Sequence, residues 1–451
     1  MEPKNIEKHK KADIYKTVWR WHFYAGILFA PFLIILAVTG SVYLFKPQIE
    51  ASIYKNYYDV TPQWNAMSAS QQLEEVKKLY PDGQIVQFRP GEKAERSSEV
   101  KILTDQGTST VFIDPYTGHS LGLLNDKDRI MDKIEEFHGE LMAGKLGDRI
   151  VELAACWAIV LIVTGLYLWF PGKKRSLSGV LFPRLSKGKK IFLRDLHAVP
   201  AFWITAGMLF LIMTGLPWSG FWGTNFQTLV TNSGTGYPPS IWVGSAPQST
   251  VKTKEIADVP WAAENLEVPD SKVQEYLPIS IDDVIEIANR EGIYPGYTVY
   301  LPKTKEAVYT LSVFSPKAQD EATIHIDQYS GAVLADYRYD HYGLMGKVIA
   351  WGITLHKGTQ FGWVNQTISL LICLGIILVA VSGFYLWLKR RPGKGIGAPS
   401  APGIKKLKGF LILMIALGIV FPLVGLSILA VWLIDGLIIQ KIPAIKSFLN
   451  A

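Results

Sequence analysis

Residues 22–40 read HFYAGILFAPFLIILAVTG and residues 197–215 read HAVPAFWITAGMLFLIMTG. Each is a histidine, an uncharged apolar run, and Thr-Gly 17 residues after the histidine. A run of this length, wound as a helix, crosses the hydrocarbon core of a bilayer. A second pair follows another spacing. His138 lies 26 residues before Thr164-Gly165-Leu166-Tyr167-Leu168-Trp169, and His356 lies 26 residues before Ser382-Gly383-Phe384-Tyr385-Leu386-Trp387. The pattern span, long loop, span therefore occurs twice, which predicts an internally duplicated, polytopic helical membrane protein.

Five runs are long enough to span: Phe23–Phe45, Ile150–Phe170, Ala198–Trp218, Val364–Leu388 and Phe410–Ile434. The first exceeds a signal-peptide core and lacks a clear small-residue cleavage site, so it reads as a retained anchor. The expected organisation starts with a tail 1–20, a first span 21–45 and a first exterior domain 46–137. An outer histidine segment with the second span (138–170) and a loop 171–196 come next. The third span (197–218), a second exterior domain (219–350) and an outer histidine segment with the fourth span (351–388) follow. A loop 389–408, a fifth span 409–435 and a tail 436–451 complete the chain. The fifth span has no counterpart in the repeat.

The 451 residues are 49% apolar and 19% charged, with a net charge of +7. Where the charge sits decides its meaning. Segments 1–20, 171–196 and 389–408 hold 21 of the 46 Lys and Arg. By the positive-inside rule these segments are cytoplasmic. The N-terminus is then cytoplasmic and, after five spans, the C-terminus is exterior. The basic excess is topological, and no aromatic-interleaved basic face supports a nucleic-acid partner. Cys156 and Cys373 lie in apolar runs, which excludes a disulfide framework and a Cys-ligated zinc or iron–sulfur centre.

The long loops also repeat. Strand-like Val111–Ile113 leads into Asp114-Pro115-Tyr116-Thr117-Gly118, and Ile324–Ile326 leads into Asp327-Gln328-Tyr329-Ser330-Gly331. Aspartate with glycine four residues on is turn chemistry. Helical stretches, Ser70–Tyr80 and Ser280–Arg290, precede them. Each loop is thus expected to be a small α+β domain.

Four of the eight histidines occupy matched places: His22 and His197 at the start of outward spans, His138 and His356 ahead of inward ones. The topology groups them as an inner and an outer pair. Neutral imidazole binds haem iron, zinc or copper. Two histidines from two helices form the axial pattern of a b-type haem, and no Cys, Asp or Glu completes a zinc set at the inner pair. Arg20, Arg194 and Arg149 are candidate partners for haem propionates, against a plain reading as rim charges. His119 and His325, without equivalent positions, read as solvated. From His356 to Lys389 an unbroken helix would run about 50 Å. Gly144, Gly147, Gly358 and Gly362 are therefore candidate breaks.

These motifs, with Trp19-Arg20-Trp21-His22, Phe137-His138-Gly139-Glu140, Arg194-Asp195-Leu196-His197 and Leu355-His356-Lys357-Gly358, resemble the PepSY-associated transmembrane proteins. That family is also known as iron-regulated membrane proteins and includes ferric-siderophore reductases of the bacterial inner membrane. The resemblance covers residues 15–390, and it makes the two Asp-x-Tyr-[Thr/Ser]-Gly strands similar to PepSY modules. It implies about five transmembrane helices with two exterior PepSY-like domains in the bacterial cytoplasmic membrane. It also implies two b haems on His22, His197, His138 and His356, and reduction of an exterior ferric siderophore. No flavin or nicotinamide domain is encoded, so the electron donor is a cytoplasmic protein or small reductant, or a quinone. The alternatives are a non-enzymatic PepSY sensor or protease regulator, and a metal-uptake accessory or transporter. Span centres almost free of charge count against the transporter.

Overall fold

A computed structural model describes the chain except residues 1–2, 171–177, 237–248, 272–276, 392–394, 399–407 and 451. Much of the two basic loops therefore lies outside the described residues. In chain order the elements begin α1 (Pro3–Tyr43), α2 (Lys46–Ile53), α3 (Lys55–Tyr58) and α4 (Ala69–Leu79). Strands β1 (Gln84–Arg89), β2 (Ser98–Thr104), β3 (Gly107–Ile113) and β4 (Ser120–Asn125) follow. Next come α5 (Ile130–Glu140), α6 (Gly144–Trp169), α7 (Lys189–Gly215), α8 (Trp222–Asn232), α9 (Thr253–Ile256) and α10 (Ile281–Arg290). Strands β5 (Thr298–Tyr300), β6 (Val308–Val313), β7 (Ala322–Asp327) and β8 (Val333–Arg338) precede α11 (Leu344–His356) and α12 (Trp363–Arg390). The chain closes with α13 (Lys408–Val420), α14 (Pro422–Leu437) and α15 (Pro443–Leu449). Two compact units result: Met1–Val42 with Glu135–Asn225 and Thr367–Ala451, and Tyr43–Ile134 with Phe226–Gln366.

In the first unit, five helices are long and apolar enough to cross a membrane: Ile14–Tyr43, Gly144–Trp169, Lys189–Trp218, Trp363–Arg390 and Pro422–Ile439. The chain is a polytopic helical membrane protein. The segment 138–170 is broken between α5 and α6, where Leu141, Met142 and Gly144 all take positive φ. The segment 351–388 is likewise broken between α11 and α12, where Gly358 and Gly362 do so.

The stretch 409–435, read in the sequence as one helix, is two helices, of which Pro422–Ile439 is the one long and apolar enough to cross a membrane. The two form a helical hairpin, α13 and α14, that turns at Phe421. Pro422 has no N–H to continue α13 and disfavours helical backbone at the preceding residue, and Phe421 takes φ −122°, ψ 85°. Gly418 and Gly425 let the arms approach: a Cβ on Gly418 would stand 2.9 Å from the Gly425 Cα. The Trp222 Nε1 donates to the Val420 carbonyl near the turn (3.0 Å). At the other end, Arg20 Nη1 donates to the Asn450 carbonyl (2.8 Å) and the Tyr24 hydroxyl to the Leu449 carbonyl (2.6 Å). The tail 436–451 therefore ends beside the early part of α1.

The second unit holds one antiparallel sheet in the order β4-β3-β2-β1-β5-β6-β7-β8. The loops 46–137 and 219–350 do not fold as two separate domains. Their strands join where Gln87 pairs with Tyr300 and Phe88 with Val299. Each half runs helix, then four strands: α4 with β1–β4, and α10 with β5–β8. Both helices start from a capping box, Ser68 with Gln71 and Ser280 with Asp283. Apolar residues at period 2 on the strands meet residues at helical spacing. Val100, Ile102, Val111, Val299, Leu311 and Ile324 form one buried core with Val76, Val284 and Ile287. The two Asp-x-Tyr turns are built alike. The Tyr116 N–H donates to Asp114 Oδ1, and the Tyr329 N–H to Asp327 Oδ1, both at 2.9 Å. Gly118 and Gly331 take φ +70° and +68°, a backbone that glycine adopts without strain. His325 is not solvated. It is fully buried on β7, bonded through Nδ1 to the Thr310 hydroxyl and edge-on to Tyr337.

Two outcomes test this architecture. Single cysteines at exposed Lys16 and Lys446, in a background whose native Cys156 and Cys373 are buried, should react with an impermeant thiol reagent from the same side. Opposite-side labelling would restore a single fifth span. The second concerns Glu321 in the sheet-bearing unit. Burial raises its carboxyl to about 8 from 4.5, against the opposing effects of Lys357 and the Tyr342 hydroxyl. The folded chain then holds a proton that the unfolded chain releases, so stability falls as pH rises from about 5 to about 8. The thermal midpoint of wild type should drop across that window, and that of Glu321→Gln should drop less. Parallel curves would remove Glu321 as the cause.

Candidate functional site

The histidines can be built from their hydrogen bonds. His22 on α1 meets the Thr164 hydroxyl of α6 through Nδ1 (2.9 Å). That hydroxyl has one proton, which it donates to the Val160 carbonyl (2.7 Å). Toward His22 it is an acceptor, so Nδ1 carries the imidazole proton and Nε2 keeps its lone pair. His138 on α5 repeats the arrangement: its Nδ1 lies 2.8 Å from the Thr39 hydroxyl, which donates to the Ile35 carbonyl. His197 on α7 places Nδ1 2.9 Å from the Val379 carbonyl of α12, which can only accept. The Ser382 hydroxyl is 3.5 Å from the same nitrogen. In all three, the assigned tautomer puts the proton on Nδ1 and the lone pair on Nε2.

The glycine after each hydroxyl admits the ring. A Cβ on Gly165 would stand 3.2 Å from His22 Cε1, one on Gly40 3.3 Å from His138 Cε1, and one on Gly383 3.0 Å from His197 Cε1. The two Thr-Gly pairs thus set the tautomer and clear space; at His197 the Val379 carbonyl sets the tautomer and Gly383 clears the space. Sequence reading found these pairs by spacing but assigned them no role. The signal was present in the repeat: the His of one span is served by the Thr-Gly of another. Thr214-Gly215 holds the fourth place in that repeat.

His22 and His197 come together, with ring centroids 6.4 Å apart and planes crossed at 73°. Two metal–nitrogen bonds of about 2 Å each, plus the distance from each Nε2 to its ring centre, also require about 6 Å. The centroid distance equals the separation that two imidazoles on one metal would have. Among the described residues, no three or more His, Cys, Asp or Glu side chains gather as a metal cluster. His356 closes α11 in the sheet-bearing unit.

The three arginines have protein partners. Arg20 donates to the Leu449 and Asn450 carbonyls and lies over the Tyr24 ring. Arg194 bonds Asp195 through Nε and Nη2. Arg149 pairs with Asp148 (2.8 Å) and with Glu152 (3.7 Å). Asp195 and Glu152 were missed in the sequence. Asp195 is wholly buried and takes a two-pronged bond from Arg184 Nε and Nη2, both at 2.8 Å. It thereby ties the segment around Arg184 to α7, two residues from His197. Trp169 and Trp203 hold the same segment by donating to the Val180 and Leu181 carbonyls. Glu152, 1% exposed, accepts the Phe221 and Trp222 N–H groups at the start of α8. Single acidic letters in basic or apolar surroundings gave no sign of these partners.

The family description PepSY-associated TM region matches residues 19–390. The chain belongs to the PepSY-associated transmembrane family. The matched stretch contains His22, His138, His197 and His356 with all four hydroxyl–glycine pairs. No curated protein matches the chain.

Asp195→Ala leaves Arg184 and Arg194 without their shared carboxylate. Both guanidiniums are partly exposed, so we expect a loss of about 2 kcal/mol rather than the full cost of a broken buried pair. It should be read as a lower melting temperature with new protease cleavage near Arg184. Unchanged cleavage would show that the tryptophan bonds hold the segment unaided.

Proposed function

We propose that the chain is a haem-containing membrane oxidoreductase that passes electrons across the cytoplasmic membrane to an exterior ferric chelate of the siderophore type. The observation that supports this reading is the approach of His22 and His197, with ring centroids 6.4 Å apart and each Nδ1 committed to an oxygen. A bis-axial haem uses two neutral imidazoles on opposite sides and no other protein ligand. A tetrahedral zinc site needs three or four. Bound haem supplies reversible one-electron chemistry. The protein's part is to hold both rings in one tautomer, exclude water with the spans, and raise ligand basicity through the bonds at Nδ1.

His138 and His356 are the proposed ligands of a second haem. His138 has the same bonding as His22, and the family resemblance supplies the pairing with His356. Arg20, Arg149 and Arg194 are the proposed propionate partners, since each guanidinium has more N–H donors than its protein contacts use. The donor is a cytoplasmic protein, a small reductant or a quinone, and the acceptor class follows from the family resemblance.

The full chain, purified in detergent after expression with ample haem, should give a reduced-minus-oxidised b-type spectrum with two haems per chain. His22→Ala and His197→Ala should each remove the same half of the signal, and His138→Ala the other half. Absence of haem, or a spectrum indifferent to His22 and His197, would overturn the proposal.

A further inference from the structure

Residues 178–188 lead into α7, which begins at Lys189. The backbone of this segment is satisfied from within the protein. Trp169, the last residue of α6, donates its Nε1–H to the Val180 carbonyl (3.3 Å), and Trp203 donates to the Leu181 carbonyl (3.0 Å). The Gly179 N–H closes a turn onto the Phe182 carbonyl (2.6 Å). Three successive carbonyls thus receive a donor without water. Their depth explains why. Trp203 lies 14 residues past Lys189, about 21 Å along α7 at 1.5 Å per residue. A helical side chain leans toward the start of its helix. The Leu181 carbonyl therefore meets α7 beside the start of its apolar run, and not beyond the helix end. At that level water is scarce, so backbone oxygens need protein donors.

The outer surface of the segment is of two kinds. Phe182 and Leu185 are 65% and 78% exposed, and Trp203, bonded to the neighbouring Leu181, is 60% exposed. Lys187, Lys189 and Lys190 are also exposed, and none pairs with an acid among the described residues. Residues 178–194 contain five basic side chains and no acidic one. The acid that follows, Asp195, is wholly buried and already bonded to Arg184 and Arg194. Arg184 reaches it through N, Nε and Nη2, which leaves Nη1.

We propose that this segment is a binding surface for an acidic phospholipid. Phe182, Leu185 and Trp203 rest among the upper acyl chains, while Arg184, Lys187, Lys189 and Lys190 hold the headgroup phosphate. Depth selects this occupant. At the edge of an apolar run, exposed apolar side chains meet lipid and long cationic ones reach the phosphate layer. A soluble partner would meet the lysines and leave the three apolar side chains uncovered. The two indoles and Asp195 hold the segment against α6 and α7, so it is a fixed surface. The inference does not depend on the haem reading.

The full chain with Leu185→Cys, whose native Cys156 and Cys373 are buried, is labelled with a nitroxide and placed in discs of phosphatidylcholine with added phosphatidylglycerol. Oxygen should relax the label more strongly than a water-soluble nickel chelate does. In native mass spectrometry the chain should retain phosphatidylglycerol about tenfold better than phosphatidylcholine. Joint Lys187→Gln, Lys189→Gln and Lys190→Gln changes should abolish that preference. Phe182→Ser with Leu185→Ser should weaken retention of both lipids. All these side chains are exposed, so both variants should keep the wild-type melting temperature. Soluble glycerol phosphate, an anion without acyl chains, should not displace the lipid. A label open to the nickel chelate, a preference indifferent to the lysine changes, or displacement by glycerol phosphate would overturn the proposal.

Discussion

An imidazole held among membrane-spanning helices must find an acceptor for its N–H inside the protein, because hydrocarbon offers none. His22, His138 and His197 meet that demand in one way: a hydroxyl or carbonyl from a second helix takes the Nδ1 proton, and a neighbouring glycine yields space for the ring. The bonds join α1 to α6, α5 to α1, and α7 to α12. The same contacts therefore tie the bundle together and fix the ring chemistry. Each threonine hydroxyl can serve as acceptor because its own proton goes to a carbonyl four residues back. A serine or threonine in a helix interior is ordinarily a mild liability; here it decides which imidazole nitrogen is basic.

The bundle's remaining polar bonds obey the same constraint. Glu152 is buried because it caps the backbone N–H groups that open α8. Asp195 is buried because Arg184 grips it with two parallel bonds. Trp157, Trp169, Trp203 and Trp222 each send the indole N–H to an oxygen of another segment. These are local solutions to desolvation, and they explain why so few charged side chains suffice in this unit. The hairpin α13–α14 adds van der Waals packing through facing glycines, the usual means by which helices associate in lipid.

The sheet-bearing unit rests on ordinary hydrophobic burial. Two helix-and-four-strand halves share one core, and β1 and β5 hide each other's edges. Without that pairing each half would expose an unpaired strand. The Asp-x-Tyr turns recur because the aspartate carboxylate takes the tyrosine N–H two residues on in both halves.

The sequence by itself determined the spans, the membrane class and the family, because hydropathy and fixed spacing are properties of the chain alone. Of the four glycines read as breaks, Gly144, Gly358 and Gly362 take positive φ at the two breaks, whereas Gly147 lies inside α6. The tertiary structure decided what depends on which segments meet. It paired His22 with Thr164 and with His197, and gave Arg20, Arg149 and Arg194 partners of their own. It also buried His325 and merged two expected domains into one sheet. It divided 409–435 into the two arms of a hairpin, since a proline within an apolar run reads as a kink or as a full reversal with equal ease. Only the packing of Gly418 against Gly425, with the tail held by Arg20 and Tyr24, selects the reversal.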